Sequence, residues 1–303
     1  GYGLSLINWT NIAIDDNDEP RSANIVLVQG NIPEYEKWDQ SKQGYILETY
    51  LGLSKPALAK TNQLIFWPES AIPIFAQQAK PFLDQLSKLA SNNYNAILTG
   101  IPIYKNNRYY NGAIVLGVGK GEYLKQHLVP FGEYLPLPHY LSGVINYFKI
   151  PMSNFSAGPQ NQPLIKMDGA KIRLFNCFES AFPQLVANQL DNADFIATIS
   201  DDSWFGHSLG PKQHEQIRQT RALETGRFLV SATNNGTTSV INQKGQVVQR
   251  IKPFSRGVLY EKIDIFQGIT PWVHYEMMPI YLILLIFILI TLIFNTKIEM
   301  SEK

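Results

Sequence analysis

Short apolar runs that recur between helical segments are the feature that most constrains the fold of this chain. Residues 24–29, 63–67 and 194–199 are continuous runs rich in β-branched and aromatic side chains, a composition typical of strands buried on both faces. Segments with helical spacing of apolar residues lie between them, as in 41–60 and 81–91. Strands that alternate with helices in this way predict a layered α/β domain.

Hairpin patterns interrupt this alternation. Residues 110–116 precede a glycine-rich turn and a second run at 122–127, and residues 238–242 and 246–251 flank a short turn that ends in Gly245. Antiparallel hairpins among parallel strands predict mixed sheets. In such folds the ligand site usually lies past the carboxyl ends of the strands, so residues that follow a strand are the first functional candidates.

The composition argues against a nucleic-acid partner and does not indicate the redox compartment. The chain has 303 residues, a net charge of +1, 45% hydrophobic and 17% charged residues, so it has no nucleic-acid signature and we expect no nucleic-acid partner. A single cysteine cannot form an internal disulfide, and the redox compartment stays open.

The domain boundaries are expected at a charged, proline-ended stretch and at a long apolar run. Residues 1–20 are interpreted as a linker, whose first part is either the end of a preceding membrane segment or a simple tail, and residues 21–268 as the catalytic domain. The run 277–294 carries no charge, just reaches the roughly 20 residues of a spanning helix and lacks the polar face of a buried core helix. We therefore predict a transmembrane helix at 277–295, followed by a tail at 296–303.

A second apolar region lies inside the expected domain. Residues 134–163 are rich in proline, glycine and aromatic side chains and show no clear periodicity. A loop of this length in a compact domain is normally functional or disordered, and its apolar content argues against plain disorder. We interpret residues 135–155 as one or more arms that contact lipid.

The only cysteine, Cys177, lies where a buried strand ends in a sharp turn, shortly before helical sequence. Backbone N–H groups and the N-terminus of a helix favour a thiolate and an anionic intermediate, although a lone cysteine is more often a small buried apolar side chain. Glu69 and Lys125 also lie at strand ends, and Glu179 follows the cysteine by two positions.

These residue types suit acyl transfer. A cysteine can carry an acyl group as a thioester, Glu69 can take the thiol proton and return it to the leaving group, and Lys125 with the backbone N–H of Phe178 can neutralise the oxyanion. Taken alone, Glu69 or Lys125 could instead be one half of a structural ion pair. His127, His207 and His214 are not spaced with acidic partners as metal ligands are, so no metal is predicted.

Nine ordered motifs carry a resemblance to a known family. Five resemble the nitrilase, or carbon–nitrogen hydrolase, superfamily: Trp67-Pro-Glu-Ser70, Lys125-Gln-His-Leu-Val-Pro-Phe-Gly-Glu133, Cys177-Phe-Glu179, Ser203-Trp-Phe-Gly206 and Thr233-Asn-Asn-Gly236. Four more fit its bacterial apolipoprotein N-acyltransferase family: Gly30-Asn-Ile-Pro33, Lys37-Trp-Asp39, Pro151-Met-Ser153 and Arg221-Ala-Leu-Glu224.

This resemblance implies a four-layer αββα sandwich and a set of site residues. The implied catalytic triad is Glu69, Lys125 and Cys177, and no cofactor is implied. Glu133 would support the lysine, and Glu179 would be essential near the nucleophile. The implied substrate-binding residues, for which packing and turn formation are equal alternatives, are Trp38, Asn111, Trp204 and Asn235.

The resemblance also implies the reaction and its location. The acyl chain would pass from a membrane phospholipid to Cys177, and then to the α-amino group of the diacylglyceryl-cysteine of an apolipoprotein. The domain would face the periplasm at the bacterial inner membrane. Two alternatives are an amidase that hydrolyses a small carboxamide and a non-catalytic, membrane-tethered binding module.

The sequence departs from that family at two places. Phe178 stands where the family usually has tyrosine, which removes a hydroxyl but keeps the backbone N–H. Asp201-Asp202 stands where it usually has Asn-Asp, which changes the polarity expected in the pocket.

Overall fold

The computed structural model describes residues 8–134, 154–188, 190 and 192–301, with side chains as far as residue 293. The strands within these residues are β1 (Asn11–Ile12), β2 (Ser22–Gln29), β3 (Gln63–Phe66), β4 (Ala96–Lys105), β5 (Arg108–Gly117), β6 (Gly119–Lys120), β7 (Glu122–Leu124), β8 (Ile165–Met167), β9 (Ala170–Asn176), β10 (Phe195–Ser200), β11 (Leu229–Thr233), β12 (Ser239–Ile241), β13 (Val247–Arg250), β14 (Gly257–Asp264) and β15 (Phe266–Gln267). The helices are α1 (Glu34–Lys37), α2 (Gln43–Leu58), α3 (Lys80–Ser91), α4 (Pro183–Ala187), α5 (Gly210–Thr225), α6 (Pro271–Tyr275) and α7 (Met278–Ser301), with short 3-10 turns at Gln40–Lys42, Cys177–Ala181 and Ser203–Phe205.

Two large sheets form the centre of the domain, and both are mixed. One has six strands in the order β14-β2-β3-β4-β5-β7, and the other has seven in the order β13-β12-β11-β10-β9-β8-β6. Parallel pairs occupy the middle of each sheet, β2–β3–β4 and β9–β10–β11, while the flanking pairs are antiparallel. The mixed α/β fold predicted from the alternation of strand and helix patterns is confirmed.

Alternation along the strands builds a core on both faces of each sheet. In β2, Ala23, Ile25 and Leu27 join a cluster with side chains of the other sheet, whereas Val26 and Val28 pack with α2 and α3. Across the two sheets the rings of Phe66 and Phe195 meet edge to face, 6.3 Å apart.

A third apolar cluster joins the outer face of the seven-stranded sheet to α4 and α5, through Val186 and Ala222 respectively. Helices therefore cover the outer face of each sheet, and the order of layers is helix, sheet, sheet, helix.

The segment predicted as an N-terminal linker is attached to the domain where the structure describes it. Asn11 and Ile12 pair with Gln267 and Phe266 in an antiparallel ribbon, and the buried Ala13 donates its backbone N–H to the Ile265 carbonyl at 2.8 Å. This backbone pairing joins residues more than 250 positions apart, so local composition could not indicate it.

The last helix, α7, contains the apolar run of the C-terminus. Its side chains as far as Ile293 are exposed, from 44% for Ile280 to 64% for Phe287. Within the part of the chain that the structure describes, no helix meets the length and apolarity required of a membrane span. The predicted lipid-contacting arm at 135–155 lies outside the described residues, except for its last two positions.

Strand direction brings the candidate residues to one edge. β7 is antiparallel to β5, which is antiparallel to β4, so β7 runs parallel to β3 and β4. Glu69 and Lys125, which follow β3 and β7, therefore leave the six-stranded sheet at the same edge. Cys177 and Asp201 follow the parallel neighbours β9 and β10 in the facing sheet.

Candidate active site

Glu69 lies in a tight turn after β3 and is 6% exposed. A close approach of β4 positions this turn, because a Cβ on Gly100 would come within 2.6 Å of the Glu69 Cα. One carboxylate oxygen accepts hydrogen bonds from Asn111 Nδ2 at 2.7 Å and Lys125 Nζ at 3.1 Å. The other accepts from the backbone N–H of Asp201 at 2.9 Å. The Glu69 carboxylate thus joins the two sheets and is held in one orientation.

Lys125 is buried between two carboxylates. Its Nζ lies 3.1 Å from Glu69 Oε1 and 2.9 Å from Glu133 Oε2, and its side chain is 1% exposed. Burial alone would lower the pKa of this ammonium, but the negative charges of Glu69 and Glu133 outweigh it and hold the pKa above its ordinary value. Lys125 is therefore a fixed positive charge at neutral pH.

Glu133 and Asn111 complete this charged group. Glu133 also accepts from the backbone N–H of Val129 at 2.8 Å, which fixes the loop that follows Lys125. Asn111 donates to Glu69 and to Glu133, the latter at 2.6 Å, and its Oδ1 accepts from Asn176 Nδ2 at 3.0 Å. Asn111, predicted as a substrate-binding residue, lines the cavity and holds the two carboxylates in place.

Cys177 occupies the sharp turn that the sequence predicts after β9. Its φ is +56°, a left-handed conformation that non-glycine residues rarely adopt, and a 3-10 turn starts at this residue. Burial raises the pKa of the thiol well above its ordinary value, and the negative charge of Glu69 adds to this effect. The positive charge of Lys125 acts in the opposite direction. Desolvation thus outweighs the nearby cation and favours the protonated thiol over the thiolate.

Glu179 is fully buried and does not line the cavity. Its Oε1 accepts from the backbone N–H groups of Gln126 at 2.6 Å and His127 at 3.1 Å. Its Oε2 accepts from the backbone N–H of Asn176 and from the Tyr123 hydroxyl, each at 2.7 Å. Burial raises the pKa of this carboxyl, against the effect of these donors. Glu179 links the backbone after Lys125 to the backbone before Cys177, so it positions both.

A cavity of about 490 Å³ opens over these groups, within the usual size range of ligand sites. The three predicted catalytic residues line it together, as do Glu133 and Asn111. Its wall is aromatic, and the aromatic residues that line it are Trp38, Phe131, Phe155, Phe178, Trp204 and Phe205.

Several of these rings are open to solvent. Trp204 is 61% exposed, Phe131 56% and Phe178 37%. Phe178 also contacts Phe182 edge to face, with ring centroids 5.3 Å apart. Among the residues predicted to bind substrate, Trp38, Asn111 and Trp204 thus lie at the cavity.

Asn235 is the predicted substrate-binding residue that does not line this cavity. It is buried at the turn after β11, where its backbone carbonyl accepts from the Phe254 N–H. The preceding Asn234 does not line the cavity either: it bonds both the N–H and the C=O of Ile32, and it donates to Asp201 Oδ1 at 3.2 Å. Asn234 thus contacts the cavity only through Asp201, which lines it.

Asp201 and Asp202, the dipeptide at which the sequence departs from the family pattern, each form a buried ion pair. Asp201 pairs with Lys37, which is 1% exposed. Asp202 lies 3.3 Å from His214 Nδ1 and 3.6 Å from Arg218 Nη2. Burial acts to raise the pKa of Asp202, but the His214 hydrogen bond and the Arg218 charge outweigh it, and the pKa is lowered. His214 therefore has an acidic partner, contrary to the spacing argument, because helix α5 packs against the loop after β10.

Ligand atoms of Cys177, Asp202 and His214 lie within 4.8 Å of one another. Such a set can hold a soft divalent metal. The charge of Asp202 is already balanced by Arg218, and its Oδ1 accepts from the Ser200 hydroxyl at 2.7 Å.

Sequence reasoning did not identify Glu34 as a site residue. It begins α1, lines the cavity, and accepts from Trp38 Nε1 at 3.1 Å. The four-residue spacing of Glu34 and Trp38, which places both side chains on one helical face, was the signal available in the sequence.

Known proteins match the chain over most of its length. The carbon-nitrogen hydrolase family profile matches residues 24–270. The apolipoprotein N-acyltransferase of Azotobacter vinelandii is 42% identical over 261 residues, which are 84% of this chain and 50% of that protein. That of Coxiella burnetii is 40% identical over 293 residues, which are 96% of this chain and 59% of that protein.

The chain thus spans little more than half the length of these relatives. Among solved structures, an amidase from Nesterenkonia sp. superimposes with a TM-score of 0.62 at 16% identity, covering 86% of this chain and 95% of that one. This likeness concerns the fold. The family profile, the close relatives and the sandwich with its cysteine at a strand end agree, and the chain belongs to the carbon-nitrogen hydrolase family.

Proposed function

We propose that this protein transfers an acyl chain from a membrane phospholipid to the N-terminal amine of the diacylglyceryl-cysteine of an apolipoprotein, through a thioester on Cys177. The observation that carries the proposal is the buried group of Glu69, Lys125 and Cys177 on one cavity with an aromatic wall. Relatives named apolipoprotein N-acyltransferase, at about 40% identity, support the choice of substrates.

The charges suit a two-step transfer. Burial favours the protonated Cys177 thiol, so attack on the ester carbonyl of the phospholipid requires a base. Glu69 takes the proton and returns it to the departing lysophospholipid oxygen. Lys125 remains cationic beside it and, with the backbone N–H of Phe178, stabilises the oxyanion. Glu133 keeps Lys125 in place, and Glu179 positions the two chain segments that carry Lys125 and Cys177.

Exposed apolar surface supports a lipid donor. Monomeric soluble proteins rarely expose large contiguous apolar patches, yet Trp204 and Phe131 are more than half exposed at the cavity. The α7 side chains are exposed along the whole described apolar run, and the sequence of 277–294 carries no charge. We propose that residues 277–295 form a membrane helix after a catalytic domain at 21–268, with the domain on the periplasmic side of a bacterial inner membrane.

Mass spectrometry of the intact protein in phospholipid vesicles tests the proposal. We expect a long-chain acyl adduct on Cys177 that a diacylglyceryl-cysteine peptide discharges, and no adduct on the Cys177→Ala variant, whose methyl group fits the same buried position. Turnover of short carboxamides without a lipid adduct would favour the amidase alternative. No adduct with any donor would favour a non-catalytic binding module.

A further inference from the structure

In the proposed second step, in which the acceptor amine attacks the thioester, one proton still lacks an acceptor. An α-amino group has a pKa of about 7.7–8.0, so much of the acceptor arrives as an ammonium at neutral pH. Conversion of that ammonium to an amide removes two protons from nitrogen. Glu69 can pass one of them to the Cys177 sulfur as the carbon–sulfur bond breaks. The other proton must leave before the nitrogen has a lone pair for attack, and it needs a second acceptor.

Four carboxylates line the cavity. Three of them are already paired with a lysine and bonded to an asparagine. Glu69 and Glu133 both bond to Lys125 and Asn111. Asp201 pairs with Lys37 and accepts from Asn234. The fourth, Glu34, accepts one hydrogen bond, from the Trp38 indole to its Oε1.

The second oxygen of Glu34 is buried and has no hydrogen-bond partner among the residues that the structure describes. A buried polar atom without a partner is costly, typically by about 1–3 kcal/mol, and an ammonium placed against it would recover that cost. The groups around Glu34 also favour proton uptake. Burial raises the pKa of Glu34 most, and the negative charges of Asp201 and Glu69 raise it further. The charge of Lys37 and the hydrogen bond from the Trp38 indole act in the opposite direction.

We infer that Glu34 binds the ammonium of the acceptor and accepts the first of its two protons. The step is balanced: an N–H bond of the ammonium breaks as an O–H bond forms on Glu34 Oε2, and the neutral amine then attacks the thioester carbonyl. The tetrahedral adduct loses its second proton to Glu69, which delivers it to sulfur, and Glu34 releases its proton to solvent. This inference rests on the proposed acyl transfer and adds a residue that acts in its second half only.

The test compares Glu34→Gln with Glu36→Gln, which changes a carboxylate of the same short helix that does not line the cavity. Glutamine keeps the size of Glu34 and an oxygen for the Trp38 indole, so it removes the base and the charge alone. Each protein is first acylated from phospholipid vesicles, and discharge of the Cys177 adduct is then followed by mass spectrometry. The acceptors are a diacylglyceryl-cysteine peptide and hydroxylamine, which is already neutral at pH 7.

We expect Glu34→Gln to slow discharge by the peptide at pH 7 by about 10²-fold, the lower end for loss of a general base. The deficit should shrink as the pH rises above about 8, where the amine arrives neutral. Discharge by hydroxylamine should match that of the unmodified protein, and Glu36→Gln should match it with both acceptors.

The outcomes separate this inference from the proposed function. If the unmodified protein forms no adduct, the acyl transfer itself is wrong, and the role of Glu34 falls with it. If adducts form but Glu34→Gln and Glu36→Gln discharge alike with the peptide at every pH, the role of Glu34 alone is refuted. An equal deficit with both acceptors would mean that Glu34 only shapes the cavity, which also overturns the inference.

Discussion

Replacement of Glu179 by glutamine tests whether one buried carboxyl positions both halves of the site. Each oxygen of Glu179 accepts two hydrogen bonds, from Gln126 and His127 on one side and from Asn176 and Tyr123 on the other. A glutamine has a single carbonyl oxygen, and its NH₂ group cannot accept. Whichever way the amide is turned, at least one buried backbone N–H then faces another donor.

The least costly arrangement turns the glutamine oxygen toward Gln126 and His127. The Tyr123 hydroxyl can rotate to accept from the NH₂ group, but the Asn176 N–H cannot, and an unsatisfied buried donor costs about 1–3 kcal/mol. Loss of charge from the two remaining bonds weakens them further, so we expect a total of about 3 kcal/mol. For a domain of this size that corresponds to a fall in Tm of about 6–12 °C.

The assay combines thermal unfolding with the rate of acyl-adduct formation on Cys177. Asn176 directly precedes the nucleophile Cys177, whose own φ is +56°, and a misplacement of about 1 Å can cost roughly 10²-fold in rate. Tyr123→Phe is the matched control, because it removes one donor and leaves the three backbone N–H groups bonded to Glu179, at a cost of about 1 kcal/mol. If Glu179→Gln were no less stable and no slower than Tyr123→Phe, the positioning role of Glu179 would be refuted.

Three further outcomes are expected. Glu69→Gln should slow adduct formation by about 10²- to 10⁴-fold, measured by mass spectrometry against the unmodified protein, and an unchanged rate would remove its role as base. Because burial raises the pKa of the Cys177 thiol, alkylation by iodoacetamide should keep accelerating as the pH rises beyond the ordinary thiol pKa of about 8.5; a plateau near neutral pH would instead indicate a resting thiolate. Trp204→Ala should reduce acylation from vesicles more than alkylation by iodoacetamide, since the reagent is small and Trp204 is 61% exposed at the cavity; equal losses would mean that the ring only supports the loop.

Strand positions were predicted more accurately than the properties of the site residues, because strand signals in the sequence are local. The strands at β2, β3 and β10 were predicted to within about two residues, as strand ends usually are at best, because each is a short apolar run whose neighbours in sequence decide its conformation. The helix N-terminus that favours a thiolate at Cys177 is a local feature of the sequence, whereas the burial between the two packed sheets that raises the pKa of the thiol is not. Asn235 was predicted near the cavity but does not line it, because the sequence of a turn does not reveal where its side chains point.

The sequence by itself determined the alternation of strands and helices, the strand-end locations of Glu69, Lys125 and Cys177, and the apolar run at 277–294, because periodicity and residue chemistry act over a few neighbours. Only the tertiary structure decided which charges meet. The Lys37–Asp201 pair joins residues 164 positions apart, and the four donors of Glu179 come from segments on both sheets. Burial and neighbouring charge set the proton affinity of a group, and both arise only when distant segments pack, which is why the unpaired oxygen of Glu34 could not be read from the sequence.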